Sequence, residues 1–91
     1  MANIVMYCTG TCPYCHRAER LLARKGANFE KIRVDQQPER WEEMVQRTGR
    51  NTVPQIFIGD THVGGYDDLA ELDALGDLDP LLAQSGALQA S

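Results

Sequence analysis

Residues 3–15 read Asn-Ile-Val-Met-Tyr-Cys-Thr-Gly-Thr-Cys-Pro-Tyr-Cys, an apolar run followed by a short loop and a pair of cysteines. The nearly continuous apolar run at residues 3–8 predicts a central strand that is covered on both faces. Pro13 suits the first position of a helix, where its missing N–H leaves no hydrogen bond unmade. Cys12 is therefore expected at the N-cap and Cys15 in the first turn. Unpaired amides of that turn stabilise a thiolate, which is the form of cysteine that attacks disulfides.

The composition is that of a single soluble domain. The chain has 91 residues, of which 43% are hydrophobic and 24% charged, and we assign residues 1–84 to the domain and residues 85–91 to a polar tail. The net charge of −4 argues against a nucleic-acid partner. No apolar stretch approaches the ~20 residues of a membrane span, and no secretory leader is evident. We expect a cytoplasmic protein, and in that reducing compartment paired cysteines are more often catalytic or metal-binding than structural.

Apolar spacing and chain breakers divide the sequence into alternating elements. The predicted order is strand, helix, strand, helix, strand, strand, helix, at residues 3–8, 13–25, 29–34, 38–48, 55–58, 62–63 and 66–75. A last helical turn follows, with Asp79 as its cap. The first strand–helix–strand unit should be parallel and right-handed, and the next two strands should form a hairpin. This order predicts an α/β fold with a four-stranded mixed sheet flanked by helices on both faces.

Three separated motifs point to a known family. They are Cys12-Pro13-Tyr14-Cys15, Thr52-Val53-Pro54 and Gly64-Gly65-Tyr66-Asp67-Asp68. In this order and spacing, the chain resembles the dithiol glutaredoxins of the thioredoxin-fold family over roughly residues 3–83. The resemblance implies a thioredoxin-like fold and a glutathione-dependent thiol–disulfide oxidoreductase that reduces glutathione mixed disulfides and protein disulfides. It also implies glutathione as co-substrate, no metal, and a monomer whose partners are glutathionylated or disulfide-containing proteins, with ribonucleotide reductase a candidate client.

The two cysteines of the first motif are expected to have different roles. Cys12 is the candidate nucleophile, and the amides of Tyr14 and Cys15 are the natural hydrogen-bond donors to its sulfur. Cys15 is the candidate resolving thiol, because it is close enough to attack a mixed disulfide on Cys12. Tyr14 is expected to be exposed and to cover one side of a bound peptide. Cys8, which ends the first strand, is expected to pack as a small hydrophobe.

The second motif is assigned to glutathione binding through the resemblance. In glutaredoxins this Pro54 is cis and packs beside the reactive cysteine. The Val53 backbone N–H and C=O are then left to pair with the extended backbone of glutathione, as an added strand does. Thr52 is expected to contribute to the same site. Composition alone favours a different interpretation, in which Pro54 is an ordinary break at a strand edge, and the resemblance to the family reverses that preference.

The third motif is expected to form an anion site at a helix start. By the family pattern, the amides of Tyr66 and Asp67, preceded by Gly65, bind the α-carboxylate of the γ-glutamyl group. The Asp67 carboxylate is assigned to the α-ammonium of the same group. Asp68 is interpreted as an ordinary capping acid.

The chain departs from the family pattern ahead of the first active-site cysteine. Many glutaredoxins carry a lysine there, whereas this chain has Thr-Gly-Thr at residues 9–11. One expected partner for the glycine carboxylate of glutathione is therefore missing. Arg40 on the second helix is the candidate replacement. Trp41 and His62 are expected to have no chemical role.

Three alternative readings use the same cysteines. The Cys-x-x-Cys-His pattern at residues 12–16 also matches c-type haem attachment, although Pro and Tyr between the cysteines fit a redox helix better. Cys8, Cys12, Cys15 and His16 could be imagined as ligands of a metal or iron–sulfur centre. A glutaredoxin-like protein served by thioredoxin reductase is the third alternative, and the motif at residues 64–68 favours glutathione over it.

Overall fold

The computed structural model describes residues 4–85. Eight elements follow one another in the predicted order: β1 (Ile4–Cys8), α1 (Pro13–Arg24), β2 (Glu30–Arg33), α2 (Pro38–Thr48), β3 (Gln55–Ile58), β4 (Thr61–Gly64), α3 (Tyr66–Ala74) and α4 (Leu78–Ser85). The predicted tail lies outside the described residues, except for Ser85, which ends α4. No helix within residues 4–85 has both the length and the apolar character that a membrane crossing requires.

The last helix is longer than the sequence predicts. It begins at Leu78, so Asp79 lies inside its first turn and the prediction that Asp79 is the cap is wrong. Leu78 and Leu82 are both fully buried, and their spacing of one helical turn holds this helix against the core. Asp79 instead forms an ion pair with Lys25 at 3.2 Å, and its negative charge is favourable at a helix N-terminus.

The sheet has four strands in the order β2-β1-β3-β4. Strand β1 is parallel to β2 and antiparallel to β3, and β3 is antiparallel to β4. The predicted four-stranded mixed sheet is therefore confirmed. Helices cover both faces of the interior strand β1: Ile4 and Met6 pack with α1, α3 and α4 on one side, and Tyr7 packs with Met44 of α2 on the other.

The Tyr7 hydroxyl forms hydrogen bonds on the side of the sheet that α2 covers. Its hydroxyl donates to Glu43 and accepts a hydrogen bond of 2.8 Å from Arg47. Burial and the bond to Glu43 raise the pKa of Tyr7, so the side chain remains a neutral phenol. The Arg47 guanidinium also lies 3.9 Å from the ring centroid of Phe57 on β3. These contacts fix α2 to the sheet.

The strand registers bring three separated segments to one end of the sheet. Tyr7, near the end of β1, pairs with Gln55, the first residue of β3. Gly64, the last residue of β4, pairs with Ile56. The loop into α1, the segment before β3 and the start of α3 therefore meet at this end. All three sequence motifs lie there.

Candidate active site

Cys12 is the N-cap of α1, as predicted. Its backbone is extended, with φ −91° and ψ 112°, and Pro13 opens the helix. The Cys15 amide donates to the Cys12 sulfur at 3.3 Å, so one of the two predicted donors makes this contact. The half-buried sulfur also lies 3.7 Å from the carbonyl oxygen of Val53, to which the protonated thiol donates. The Cys12 sulfur is thus held between a helix N-terminus and the second motif.

The second cysteine is in a very different environment. Cys15 is only 1% exposed. Burial, followed by its hydrogen bond with Cys12, raises the pKa of Cys15 to about 12. Cys15 is therefore a protonated thiol at neutral pH, while Cys12 is the more accessible of the pair. Both are free thiols in this structure.

Cys8 behaves as the sequence predicts for a packed thiol. It is 1% exposed within the core. Its sulfur donates to the Ile32 carbonyl at 3.7 Å. Burial raises the pKa of Cys8 to about 11, so this thiol is protonated and unreactive at neutral pH.

A groove beside Cys12 gathers nearly all of the predicted glutathione contacts. The predicted residues that line it are Tyr14, Thr52, Val53, Pro54, Gly65, Tyr66 and Asp67. The Val53–Pro54 peptide bond is cis, as predicted. Tyr14, 52% exposed, and Tyr66 flank the groove with ring centroids 6.3 Å apart.

The start of α3 forms one end of this groove. Gly65 is the N-cap, and its N–H donates to the Asp68 carboxylate at 3.0 Å. Asp68 therefore caps the helix, as predicted. The amides of Tyr66 and Asp67 belong to the first turn, where backbone N–H groups have no partner within the helix. These amides are therefore able to donate hydrogen bonds to an anion.

Three residues of the groove were not assigned to glutathione binding from the sequence. They are Arg50, Gln55 and Asp68. Arg50 Nη1 lies 3.6 Å from the Asp68 carboxylate, and the guanidinium is half-exposed. Its position two residues before Thr52 was the available sequence signal. Gln55 gave no such signal, because its role depends on contacts made across the sheet.

Arg40 is placed differently from the other predicted contacts. It lies on α2, outside the lining of the groove, and its guanidinium contacts the Glu43 carboxylate at 3.0 Å. About a third of the Arg40 side chain is exposed. The structure therefore leaves it accessible but does not bring it into the groove with the other residues.

The loop that lacks the family lysine is held by a different pair of charges. The Gly10 N–H donates to Asp35 at 3.3 Å, and Asp35 accepts from Arg33 at 2.8 Å. The hydrogen bond from Arg33 lowers the pKa of Asp35 to about 2. A Cβ at position 10 would lie 2.4 Å from Arg33 Nη2, so Gly10 permits this close approach.

The described part of the chain contains no group of side chains that suits the metal-binding alternative. Within residues 4–85, no three His, Cys, Asp or Glu side chains are grouped so that they could hold a metal ion. The His16 ring is directed elsewhere: Nδ1 lies 3.1 Å from Glu19 and Nε2 lies 3.4 Å from the Gly10 carbonyl.

Comparison with known proteins now identifies the family. The glutaredoxin family profile matches residues 4–63. The chain is 56% identical over 82 residues to Glutaredoxin 3 of Escherichia coli strain K12, and the match covers 90% of this chain and 99% of that protein. The chain belongs to the glutaredoxin family. The predicted activity is confirmed with it: this glutaredoxin is a glutathione-dependent thiol–disulfide oxidoreductase.

Solved glutaredoxins share the architecture of this one. The crystal structure of a buckwheat glutaredoxin–glutathione complex superposes with a TM-score of 0.89 at 34% identity, covering 96% of this chain and 82% of that chain. The solution structure of glutaredoxin from Brucella melitensis gives a TM-score of 0.80 at 53% identity, covering 98% and 96%. The predicted thioredoxin-like fold is confirmed by these neighbours.

Proposed function

We propose that Cys12 is the nucleophile that removes glutathione from glutathionylated proteins. The Cys12 thiolate attacks the glutathione sulfur of the mixed disulfide, and the client thiolate leaves and takes up a proton. A second glutathione thiolate then attacks the glutathione sulfur bound to Cys12. Glutathione disulfide is released and the Cys12 thiolate is restored. The observation that carries this proposal is the position of the Cys12 sulfur, 3.3 Å from the Cys15 amide and 3.7 Å from the carbonyl oxygen of Val53, which lines the groove.

For protein disulfides, Cys15 completes the exchange. Cys12 forms a mixed disulfide with the client, and Cys15 attacks the Cys12 sulfur, releasing the second client thiol and leaving a Cys12–Cys15 disulfide. Two glutathione molecules then reduce that disulfide. Because burial holds Cys15 protonated, it loses its proton only as this attack proceeds.

The groove suggests how the glutathionyl group is oriented. The Val53 backbone pairs with the glutathione backbone, with Tyr14 and Thr52 lining the groove. The γ-glutamyl carboxylate is placed at the amides of Tyr66 and Asp67, next to Gly65. The Asp67 carboxylate, which is exposed, binds the ammonium group.

Two arginines are proposed to neutralise the two carboxylates of glutathione. Arg50 lies beside the N-terminus of α3 and is assigned to the γ-glutamyl carboxylate. Arg40 on α2 is retained for the glycine carboxylate, because about a third of its side chain is exposed. The two assignments can be tested independently, because Arg40 lies on α2 and Arg50 lies in the groove.

Arg50→Ala is expected to raise the KM for a glutathionylated peptide about two- to fivefold, as the loss of an exposed favourable charge implies. The kcat should change less, since Arg50 does not contact the reacting sulfur. Added salt should shrink the difference from the parent protein, because it screens exposed charges. Steady-state kinetics at low and high salt measures both effects. Arg20→Ala on the exposed face of α1 is the matched control, and an equal rise in KM in that variant would contradict a specific role for Arg50.

We further propose that the reaction requires no metal, because the two cysteines, glutathione and the client protein supply every sulfur that exchanges. The proposed partners are glutathionylated or disulfide-containing proteins, with ribonucleotide reductase a candidate client, and no nucleic acid or membrane. The protein is proposed to act as a cytoplasmic monomer.

The function is tested by asking which reductant restores the oxidised protein. Glutathione with glutathione reductase is expected to regenerate the Cys12/Cys15 dithiol and to sustain turnover of a glutathionylated peptide. Regeneration by thioredoxin reductase alone, with no response to glutathione, would support the thioredoxin-reductase alternative instead.

A further inference from the structure

A chain of hydrogen bonds runs from β4 to the wall of the groove through one buried amide. The Gln55 side chain is only 1% exposed. Its amide nitrogen lies 3.0 Å from the Thr52 carbonyl oxygen and 3.3 Å from the Thr52 hydroxyl. Its amide oxygen lies 2.9 Å from Nε2 of His62. The side chain of Gln55 therefore joins His62 on β4 to Thr52 in the groove.

The chemistry of these atoms fixes the direction of each bond. A carbonyl oxygen only accepts, so the Gln55 nitrogen must face Thr52 and the Gln55 oxygen must face His62. An amide oxygen also only accepts, so Nε2 of His62 must carry the hydrogen. Burial, together with the nearby Arg50, lowers the pKa of His62, which favours the neutral ring. The ring is further fixed by stacking on Phe57, with centroids 4.8 Å apart.

This series of hydrogen bonds fixes the plane of the Thr52–Val53 peptide, whose N–H takes part in the proposed binding of glutathione. The Thr52–Val53 peptide is trans, since the cis bond recorded within residues 4–85 is Val53–Pro54. In a planar trans peptide, the C=O and N–H groups point in opposite directions. Because Gln55 donates a hydrogen bond to the Thr52 carbonyl, it also sets the direction of the Val53 N–H, which points away from Gln55.

We propose that Gln55 and His62 are positioning residues that hold the Thr52–Val53 peptide at the angle at which the Val53 N–H meets the backbone of a bound glutathionyl group. They act on affinity for glutathionylated substrates rather than on sulfur exchange. His62, for which the sequence predicts no chemical role, orients Gln55 in this arrangement. The inference rests on the proposed pairing of glutathione with Val53.

His62→Phe and Gln55→Leu test the inference by steady-state kinetics. His62→Phe keeps an aromatic ring against Phe57 but removes the donor, and Gln55→Leu removes all three hydrogen bonds of the Gln55 side chain. Each is expected to raise the KM for a glutathionylated peptide about three- to tenfold, the effect of losing a buried hydrogen bond, with a smaller change in kcat. His62→Gln retains an N–H donor and should recover much of the affinity. Gln46→Leu on the exposed face of α2 is the control for loss of an amide.

A second measurement uses the protein without glutathione. In His62→Phe, the backbone amide resonances of Thr52 and Val53 are expected to shift, although the substitution lies on β4. Unmoved resonances, or KM values equal to the parent in His62→Phe, would overturn the inference even if Gln55→Leu fails to fold. Equal KM increases in His62→Phe and His62→Gln would overturn it as well. If the parent protein itself showed no saturation with the peptide, the proposed binding mode would fail, whatever the resonances showed.

Discussion

Cys12→Ser is expected to abolish reduction of glutathionylated peptides, lowering kcat/KM by about a thousandfold or more, as loss of a catalytic nucleophile does. A serine hydroxyl in this position is not ionised and does not attack a disulfide. Cys15 cannot substitute for Cys12, because it is 1% exposed and burial raises its pKa to about 12. The rate of glutathione-disulfide formation, coupled to glutathione reductase, measures the loss.

Cys15→Ser is the matched control for this prediction. It should retain removal of glutathione, because that cycle uses Cys12 and two glutathione molecules. Reduction of a protein disulfide should slow in the same variant, since the resolving thiol is gone. Equal loss of deglutathionylation in both variants would contradict the assignment of the two roles. A Cys8→Ser variant tests the third, buried thiol by itself. This thiol is expected to contribute only packing.

The active-site helix could be predicted because its signals are local. Pro13 marks the first turn of α1, and the cysteine before it becomes the N-cap without any distant contact. Gly49, with φ +69°, likewise ends α2 in the left-handed region where the sequence predicts a stop. Proline and glycine act here through local backbone conformation, so the sequence alone is sufficient to place the cysteine pair at the start of α1.

The groove residues that sequence reasoning missed depend on tertiary contacts. Gln55 is buried because β3 lies between β1 and β4, and its bond to His62 exists only in the observed strand register. Arg50 is half-exposed, and its guanidinium lies 3.6 Å from the Asp68 carboxylate, a contact that only the folded chain makes. The start of α4 was misplaced for the same reason, because the burial of Leu78 is decided by the core and not by a cap. Motif positions could be predicted, whereas the side chains that support them could not.

Gly64→Ala, one residue before Gly65 of the groove, is expected to cause a large loss of stability. Gly64 has φ +113°, a conformation that costs an L-residue roughly 1–2 kcal/mol. The new Cβ would also lie 2.3 Å from the Asp68 carboxylate. That carboxylate can rotate away only by giving up its bond to the Gly65 N–H, which costs about 1 kcal/mol as the loss of a helix cap. The unfolding free energy should fall by about 2–3 kcal/mol, or Tm by more than about 8 °C.

The matched control is Gly76→Ala, after α3. Gly76 has φ +79°, and nothing lies within 4 Å of its would-be Cβ, so this variant carries the backbone strain without the collision. It should lose less stability and leave the KM for glutathionylated peptide unchanged, whereas Gly64→Ala raises it by disturbing the start of α3. Combining Gly64→Ala with Asp68→Ala isolates the collision, because the alanine at position 68 leaves room for the new methyl group. If Gly64→Ala costs as much stability in the Asp68→Ala background as in the parent, measured by chemical denaturation, the contact with Asp68 contributes nothing and backbone strain alone accounts for the glycine.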